Sequence, residues 1–466
     1  MRLSMPCCSD TSERRARTIA QPKKTVVIVS ADFAPSSYPQ ALRARFFARY
    51  LPDFGWKPIV LTVEPQYYEW AVDPENEKLL PADLEVVRTR AFPARLTRKF
   101  GIGDIGLRCL WQQWMALRRL CQREPVDLIL VPIPPNPSMV LARLAYQEFG
   151  IPYVLDYNDP VTTNYYWKLP RSQRPPKYVL AYAMALLIEP FALRRVGELV
   201  SVDTSYTVEA QARYHGLGQL RTTAIPHGGE PADFEYLSLH PRKNTFFDKG
   251  DGLLHLGYVG RGGVDMISTL RALFRAVRLG QERNPKLFER LRMHFVGTTY
   301  AHNGGSQYQV LPTARSEGVE SLIDEHPTRV SYLAAIQILL DCHALLMLGS
   351  ESAHYTASKV FPYMLAKRPI LAIFHQASSA VNILKDTHAG EVVTFGDLES
   401  LEARIPAITL QLENILNLPR EFLPATRWDA FEPYTARAMT ARLARVFDRV
   451  SGLGTELDSV TEEVAL

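Results

Sequence analysis

Short segments of strand character alternate with helical segments along nearly the whole chain, and this alternation constrains the fold more than any other feature. Several strand segments are almost wholly apolar, as strands buried on both faces of a sheet must be. Because strands and helices alternate, we expect parallel sheets with right-handed crossovers. The predicted strands are 25–30, 58–63, 84–90, 127–132, 153–157, 198–203, 253–260, 292–297, 329–333, 344–349, 369–374 and 391–395.

The alternation pauses once, in a polar stretch at 230–252 that predicts a linker. We therefore expect an α/β protein with two Rossmann-like, doubly wound parallel-sheet domains that face each other across a cleft. The predicted units are a disordered basic tail at 1–24, a first domain at 25–235, a second domain at 250–430, a C-terminal helix at 431–451 and an acidic tail at 452–466.

The net charge of +4 comes from the N-terminal segment, because the acids and bases of residues 25–466 balance. A neutral folded part does not predict a nucleic-acid partner. The basic segment is either a disordered extension or one that is weakly attracted to an anionic membrane surface. The five cysteines form no Cys-x-x-Cys pair, which favours reduced thiols in a cytoplasmic protein without a bound metal or cofactor.

The sequence has no apolar run of about 18 residues, the length that a membrane-spanning helix needs. The nearest candidate, at 178–188, is too short and predicts a buried helix. Another helix is predicted from Leu107, Leu110, Trp111, Trp114, Leu117 and Cys121, which share one face at helical spacing and are expected in the core.

Ligands of open parallel sheets bind at the carboxyl ends of strands, so the segments that follow strands are the candidate sites. After the first strand, Ser36, Ser37 and Tyr38 lie in a loop that lacks the G-x-G-x-x-G pattern, which disfavours a dinucleotide site. This loop either contacts a hydroxylated acceptor or is purely structural. Asp159 follows the strand at 153–157. It is either a general base or acceptor-orienting carboxylate, or the residue that closes an Asx-turn.

In the second half, Gly260 and Arg261 end a strand, and Ser358 and Lys359 precede a predicted helix. A glycine allows close backbone approach, and an arginine can grip a diphosphate with two parallel hydrogen bonds. The free N–H groups at a helix N-terminus favour a phosphate, although Ser358 could simply cap the helix. We favour a diphosphate site, because both features belong to one domain.

Five segments, in order, resemble the retaining GT-B glycosyltransferases of family 4, especially bacterial enzymes of capsule, O-antigen and exopolysaccharide assembly. The first, 26–63, contains FAPS (33–36) and GWKPIVLT (55–62). DYNDP (156–160) is similar to the family's D-x-R-D-P, and IPHGGE (225–230) to I-P-N-G-x-D. The last two are GYVGR (257–261) and SKVFPYMLAKRPIL (358–371), which is similar to S-K-x-x-E-Y-x-A-x-G-K-P-x-L.

The resemblance implies that the second domain binds a nucleoside-diphosphate sugar and that the first binds the acceptor. It also implies that Arg261 and Lys359 neutralise the leaving diphosphate in place of a metal. The family's pair of glutamates falls here at His354 and Pro362, so Glu351 or Tyr363 would have to contact the donor instead. His227 stands where the family has asparagine, on the acceptor side.

Three functions remain open from the sequence. The first is transfer of a hexose, with retention, to a saccharide or polyprenyl-linked acceptor in surface polysaccharide biosynthesis, by a cytoplasmic enzyme at the inner face of the membrane. The second is a catalytically silent GT-B scaffold in a polysaccharide assembly complex, which the missing glutamates favour. The third is a sugar-nucleotide epimerase, which would need acids and histidines in the cleft.

Overall fold

The computed structural model describes residues 24–452, apart from 71, 165, 166, 168–170, 172, 173, 175, 176, 218, 300–306 and 351–358. The predicted tails at 1–24 and 452–466 therefore lie almost entirely outside the described residues. The described residues contain two parallel sheets.

The first sheet has the strand order β3-β2-β1-β4-β5-β6-β7, with every pair parallel. Alternate residues of β1 enter different cores: Val27 and Val29 pack on one face, Val26 and Ile28 on the other. Helices cover both faces, which explains why these strands are apolar throughout. The strands are β1 Lys24–Val29, β2 Trp56–Val63, β3 Glu85–Thr89, β4 Leu128–Ile133, β5 Tyr153–Tyr157, β6 Glu198–Ser201 and β7 Thr222–Ala224.

The second sheet has the order β10-β9-β8-β11-β12-β13 and is also wholly parallel. It too is buried between two helical layers, one lined by Leu256 and Phe295 and the other by Leu345 and Ala372. Its strands are β8 Leu254–Val259, β9 Leu291–Val296, β10 Ile323–His326, β11 Ala344–Leu348, β12 Ile370–His375 and β13 Glu391–Phe395.

The α-helices that the structure describes are numbered here in chain order. They are α1 Pro39–Tyr50, α2 Ala94–Thr97, α3 Ile105–Arg123, α4 Met139–Phe149, α5 Tyr178–Leu193, α6 Thr204–Arg213, α7 Pro231–Leu239, α8 Ile267–Arg283, α9 Pro285–Phe288, α10 Leu311–Ser316, α11 Tyr332–Asp341, α12 Val360–Leu365, α13 Ser379–Asp386, α14 Leu398–Ala403, α15 Ile405–Leu416, α16 Trp428–Phe431 and α17 Ala436–Val450.

Two helices connect the halves of the molecule. The predicted linker begins with α7, whose Phe234 and Leu237 pack in the core of the second domain. The last helix, α17, returns to the first domain, where Leu443 and Phe447 pack against the apolar side chains of β1 and β4. Thr435 caps α17 by accepting a hydrogen bond from the Ala438 amide.

Three details differ from the sequence predictions. The predicted strand at 329–333 is wrong, because the strand lies earlier, at Ile323–His326, and α11 begins at Tyr332. Trp111 was expected in the core, but 64% of its surface is exposed. The helix at 178–188 was expected to be buried, yet Val179, Leu180 and Leu187 of α5 are exposed. No helix among the described residues is long and apolar enough to cross a membrane.

Candidate functional site

Each sheet reverses its strand order at one point, between β1 and β4 in the first and between β8 and β11 in the second. In parallel α/β sheets such a switch point is where ligands bind, beyond the carboxyl ends of the strands. The loops after β1 and β8 carry residues that the sequence singled out. The two domains meet near here, because the Arg329 guanidinium of the second domain lies 5.5 Å from the centre of the Tyr38 ring of the first.

Lys359 packs directly against Gly260 at the end of β8. A Cβ atom at position 260 would collide with the Lys359 Nζ, and Gly260 has a φ of +149°. Glycine is therefore required both for the backbone conformation and for the room that the ammonium group occupies. The Nζ also lies 5.1 Å from the centre of the Tyr258 ring. The sequence prediction that these two residues share a site is consistent with this contact.

Lys359 is one of three cations that converge at this switch point. Burial, together with the positive charges of Arg261 and Arg329, lowers its pKa from 10.5 to about 7. Arg261 is held by Asp265, with 2.8 Å between Nη2 and Oδ2. Arg329 was missed in the sequence analysis because the segment was read as a strand. A cluster of three cations, in which two exposed or half-exposed arginines lie near a lysine that is largely shielded from water, is suited to bind a multiply charged anion such as a diphosphate.

A buried carboxyl group lies at the other switch point, in the loop after β1. Asp32 Oδ2 accepts a hydrogen bond from Gln40 Nε2 at 2.9 Å, while Oδ1 is buried without a hydrogen-bond partner among the described residues. Burial raises the pKa of Asp32 to about 7, against the opposing effect of the nearby Ser36 hydroxyl and of the Gln40 hydrogen bond. A carboxylate with an unsatisfied oxygen is prepared to accept a proton or a hydroxyl hydrogen bond. The sequence analysis missed Asp32, although it lies in the loop that was singled out.

The two serines of this loop hold its shape. Ser36 Oγ accepts hydrogen bonds from the Trp70 indole at 3.1 Å and from the Tyr38 amide at 3.4 Å. Ser37 Oγ accepts one from Asn76 Nδ2 at 2.8 Å. Tyr38 packs against the Trp70 ring, with 5.1 Å between ring centres. Contact of these three residues with an acceptor stays a prediction.

Asp159 lies where the sequence placed it, just after β5, and its side chain is exposed. Nevertheless, surrounding protein excludes enough water to raise the pKa of its carboxyl group above 3.8. Its negative charge contributes to the raised pKa of Tyr206 on α6, so the two side chains are close. A catalytic role for Asp159 remains a prediction.

His227 lies in the segment after β7, where Arg43 fixes the backbone. The Arg43 guanidinium pairs with Asp156 through bonds of 2.8 and 3.0 Å and also donates to the Ile225 and Pro226 carbonyl groups. Burial, together with the Arg43 charge, lowers the pKa of His227 from 6.5 to about 3. The imidazole is therefore neutral at physiological pH, and it can exchange hydrogen bonds with a hydroxyl but supplies no charge.

The remaining donor-side predictions divide into two groups. Tyr363 is buried, and its hydroxyl accepts a hydrogen bond from the Val259 amide at 2.7 Å, so it supports the strand end that carries Gly260. Glu351, His354 and Ser358 lie outside the described residues. Among the residues that are described, no group of three His, Cys, Asp or Glu side chains could hold a metal ion.

Comparison with known proteins supports this architecture. Residues 40–228 match the family model described as "Glycosyl transferase 4-like domain", which covers less than half of the chain. No curated protein matches the chain. Solved structures do match it over most of its length.

Three similar structures illustrate the match. A glycosyltransferase from Rickettsia africae ESF-5 is 12% identical with a TM-score of 0.53, over 92% of this chain and 99% of that one. Anabaena HepE, solved with UDP-glucose, is 14% identical with a TM-score of 0.53, over 91% and 99%. A UDP-forming α,α-trehalose-phosphate synthase from Burkholderia xenovorans is 11% identical with a TM-score of 0.58, over 92% and 99%.

The chain has the GT-B fold. The expectation of two doubly wound domains is thereby confirmed, and residues 40–228 are similar to a glycosyltransferase 4-like domain. Within this GT-B protein, the second domain contributes the cations Arg261, Arg329 and Lys359, and the first contributes the carboxyl groups of Asp32 and Asp159. This division separates a cationic side from a side that carries two carboxyl groups with raised pKa values.

Proposed function

We propose that the protein is a retaining hexosyltransferase that uses a nucleoside-diphosphate sugar. The second domain binds the donor, and the acceptor, a saccharide or a polyprenyl-linked saccharide, binds against the first. The biological setting is the assembly of a surface polysaccharide at the cytoplasmic side of a membrane. Two similarities support this proposal: the match of residues 40–228 to the glycosyltransferase 4-like domain, and the fold shared with Anabaena HepE, which was solved with UDP-glucose.

The observation that carries the proposal is the proximity of Arg261 and Arg329 to Lys359, which itself packs against Gly260. Departure of a nucleoside diphosphate places negative charge on phosphate oxygens, and cations already positioned there stabilise that charge as it develops. A lysine with a pKa of about 7 can also be protonated when the diphosphate binds. These groups perform the neutralisation that a metal performs elsewhere, so we propose that catalysis is metal-independent.

On the acceptor side, Asp32 and Asp159 can accept a hydrogen bond from the attacking hydroxyl. In a reaction with retention, such a carboxylate orients the hydroxyl on the face of the sugar that the diphosphate leaves. Orientation of this kind contributes strongly to rate, because it converts an encounter of two molecules into a reaction within one complex.

One observation favours a second candidate, a catalytically silent scaffold. Pro362 occupies the third position of α12, where the resembling family has a glutamate that contacts the nucleotide ribose. A proline is accommodated in the first turn of a helix, so the fold persists without that contact. A scaffold would keep the architecture but would not turn over a donor.

The decisive experiment is a thermal-shift screen of the full-length protein against UDP- and GDP-hexoses, followed by turnover with a matching acceptor. A ligand at about 100 times its dissociation constant should stabilise the protein by about 2.7 kcal/mol. Arg261→Ala should weaken nucleotide binding by about 1.5–3 kcal/mol, and Arg261→Lys should restore it only in part. Arg278→Ala, an exposed arginine on α8, is the matched control and should bind normally.

Three results would contradict parts of the proposal. Unchanged affinity in Arg261→Ala would remove the diphosphate assignment. Donor binding without turnover, in the presence of confirmed acceptor, would favour the scaffold. Excess EDTA should leave turnover intact, and a loss that magnesium or manganese restores would contradict the metal-independent mechanism.

A further inference from the structure

One helix of the first domain presents an apolar surface to solvent. Along α5, exposed apolar side chains recur at the spacing of a single helical face, and they are Val179, Leu180, Ala183, Leu186 and Leu187. Leu180 and Leu187 are 65% and 76% exposed. A contiguous apolar face of this kind on a folded protein indicates a binding surface.

The inner face of α5 is firmly attached to the domain. Ala185 and Leu193 pack in the core under β4 and β5. Glu189, the one charged residue of the helix, points inward and accepts hydrogen bonds from Thr162, Tyr157 and Tyr214 at 2.6, 3.1 and 3.0 Å. Because the inner face is fixed by these contacts, the outer face remains exposed in the folded domain.

A second apolar segment adjoins the N-terminal end of α5. Lys177 precedes the helix, and its Nζ donates to the Gly101 carbonyl oxygen at 2.9 Å. Beside Gly101, Phe100 is 83% exposed, and Leu96 and Ile102 are also exposed. We call these three residues, together with the exposed face of α5, the apolar surface.

Basic residues lie in and beside the two segments that form the apolar surface. Segments 94–102 and 171–188 contain six arginines and lysines and no aspartate or glutamate, and Arg194 and Arg195 follow the other end of the helix. Arg98 forms an ion pair with Glu69, with 2.9 Å between Nη2 and Oε1. Trp167 and Tyr182 contact each other at the rim, with 5.7 Å between ring centres. An apolar face with basic flanks and rim aromatics has the chemistry of helices that lie in the interface of an anionic bilayer.

We propose that the apolar surface docks the protein onto a membrane that contains anionic phospholipids, with α5 lying in the plane of the interface. The bases are complementary to the charge of the lipid headgroups, and each base that is not already paired contributes about fivefold to binding when it lies near the surface. The apolar side chains enter the boundary between headgroups and acyl chains. The occupant is a lipid surface rather than a protein, because the two segments beside the apolar face carry six bases and no acid, as attraction to anionic headgroups requires.

The position of α5 gives the docking a functional meaning, which rests on the proposed function. The Tyr178 hydroxyl donates to the Thr163 carbonyl at 2.7 Å, and the Tyr182 hydroxyl donates to Asn164 Oδ1 at 3.1 Å. These residues belong to the loop that begins with Asp159. A membrane beneath α5 therefore lies next to the acceptor side of the cleft, where a polyprenyl-linked acceptor would enter.

The test is sedimentation of the full-length protein with vesicles of phosphatidylglycerol and phosphatidylcholine, compared with phosphatidylcholine alone. We expect binding that requires phosphatidylglycerol and weakens with salt. Leu180→Glu/Leu187→Glu should weaken binding more than tenfold. The matched control is Leu398→Glu/Leu410→Glu, which places the same charges at exposed leucines of α14 and α15 and should bind like the wild type.

Other outcomes would overturn the inference. Equal binding by the wild type and the α5 variant would assign membrane contact to another part of the chain, such as the basic N-terminal segment. A wild-type dimer that the α5 variant dissociates, without vesicle binding, would make the surface a contact between copies. Nucleotide binding in the thermal-shift screen should be the same in both proteins, so a failed membrane test leaves the donor site separately measurable.

Discussion

Lys359 combines two properties that bear on function, a contact with Gly260 and a pKa close to neutrality. The ammonium form attracts a diphosphate, whereas the neutral amine does not. Because the bound anion raises the pKa of Lys359, donor affinity should be greatest below pH 7 and should fall by up to tenfold per pH unit above it. A nucleoside-diphosphate sugar is the appropriate ligand, because its own phosphates do not titrate in this range.

Titration calorimetry between pH 6 and about 9 can measure this pH dependence of donor affinity. If a proton is taken up on binding, the measured heat of binding should change with the ionisation enthalpy of the buffer. Lys359→Ala should bind more weakly and lose the pH dependence. Gly260→Ala should have a similar effect, because its Cβ displaces the same ammonium group. A donor affinity that stays constant across neutral pH would place Lys359 away from the diphosphate.

The carboxyl groups of the first domain should show the opposite pH dependence. Asp32 can orient or deprotonate a hydroxyl only when ionised, so turnover at saturating donor should rise through pH 7. Asp32→Asn should remove this rise and lower turnover, while donor affinity stays near the wild-type value.

Asp159→Asn distinguishes catalysis from loop structure. Loss of a positioned acid or base lowers turnover by about 10²–10⁴-fold, whereas asparagine can form the same Asx-turn and would be almost silent. Two quantities should be measured, the turnover with a confirmed donor and acceptor and the affinity for the donor. Normal turnover in Asp159→Asn would leave this residue with a structural role.

At the scale of elements, α17 is a C-terminal helix that completes the core of the first domain. Phe447 is fully buried and meets the Trp56 ring edge-on at 5.2 Å between centres. Phe447→Ala should lower the free energy of unfolding by about 3–5 kcal/mol, because it leaves a cavity between α17 and the first sheet. Urea unfolding measures the change, and Leu423→Ala, at an exposed position, is the control.

Periodicity predicted most elements because buried parallel strands are continuous apolar runs, and β5 and β13 were predicted to the residue. Periodicity did not predict β10, because the central residues of this strand are Asp324 and Glu325. Glu325 is buried there because its carboxylate accepts hydrogen bonds from the Gln309, Val310 and Leu311 amides. A strand that uses an acid in this way carries no apolar signal.

The site was predicted less completely than the fold. Gly260, Arg261 and Lys359 could be found because a glycine and local bases follow strand ends or precede helices. Arg329 and Asp32 reach the same cleft from loops with no distinctive pattern, and only the three-dimensional arrangement reveals their proximity. The exposed face of α5 could not be separated from a buried face, since both faces of the helix are apolar.

At the scale of the whole molecule, one buried ion pair joins the two domains. Arg45 on α1 binds Asp233 on α7 through two bonds of 2.8 and 2.5 Å, and both side chains are almost fully buried. The Tyr332 hydroxyl on α11 donates to the same carboxylate at 2.7 Å. Because α7 and α11 pack in the core of the second domain, this network fixes the second domain against α1 of the first.

Removal of one partner should therefore affect the entire protein. Asp233→Ala leaves the Arg45 charge buried without its carboxylate, which should cost about 3–5 kcal/mol of stability. In calorimetry, the domains of this variant should then unfold in separate steps. The transitions of the wild type should be more closely coupled. Arg45→Met/Asp233→Leu removes both charges and should recover much of the lost stability, because similar-sized apolar groups replace the pair without an unpaired ion. If Asp233→Ala were as stable as the wild type, the pair would not hold the domains together, and their relative position would depend on other contacts, such as those of α17 and of Arg329 with Tyr38.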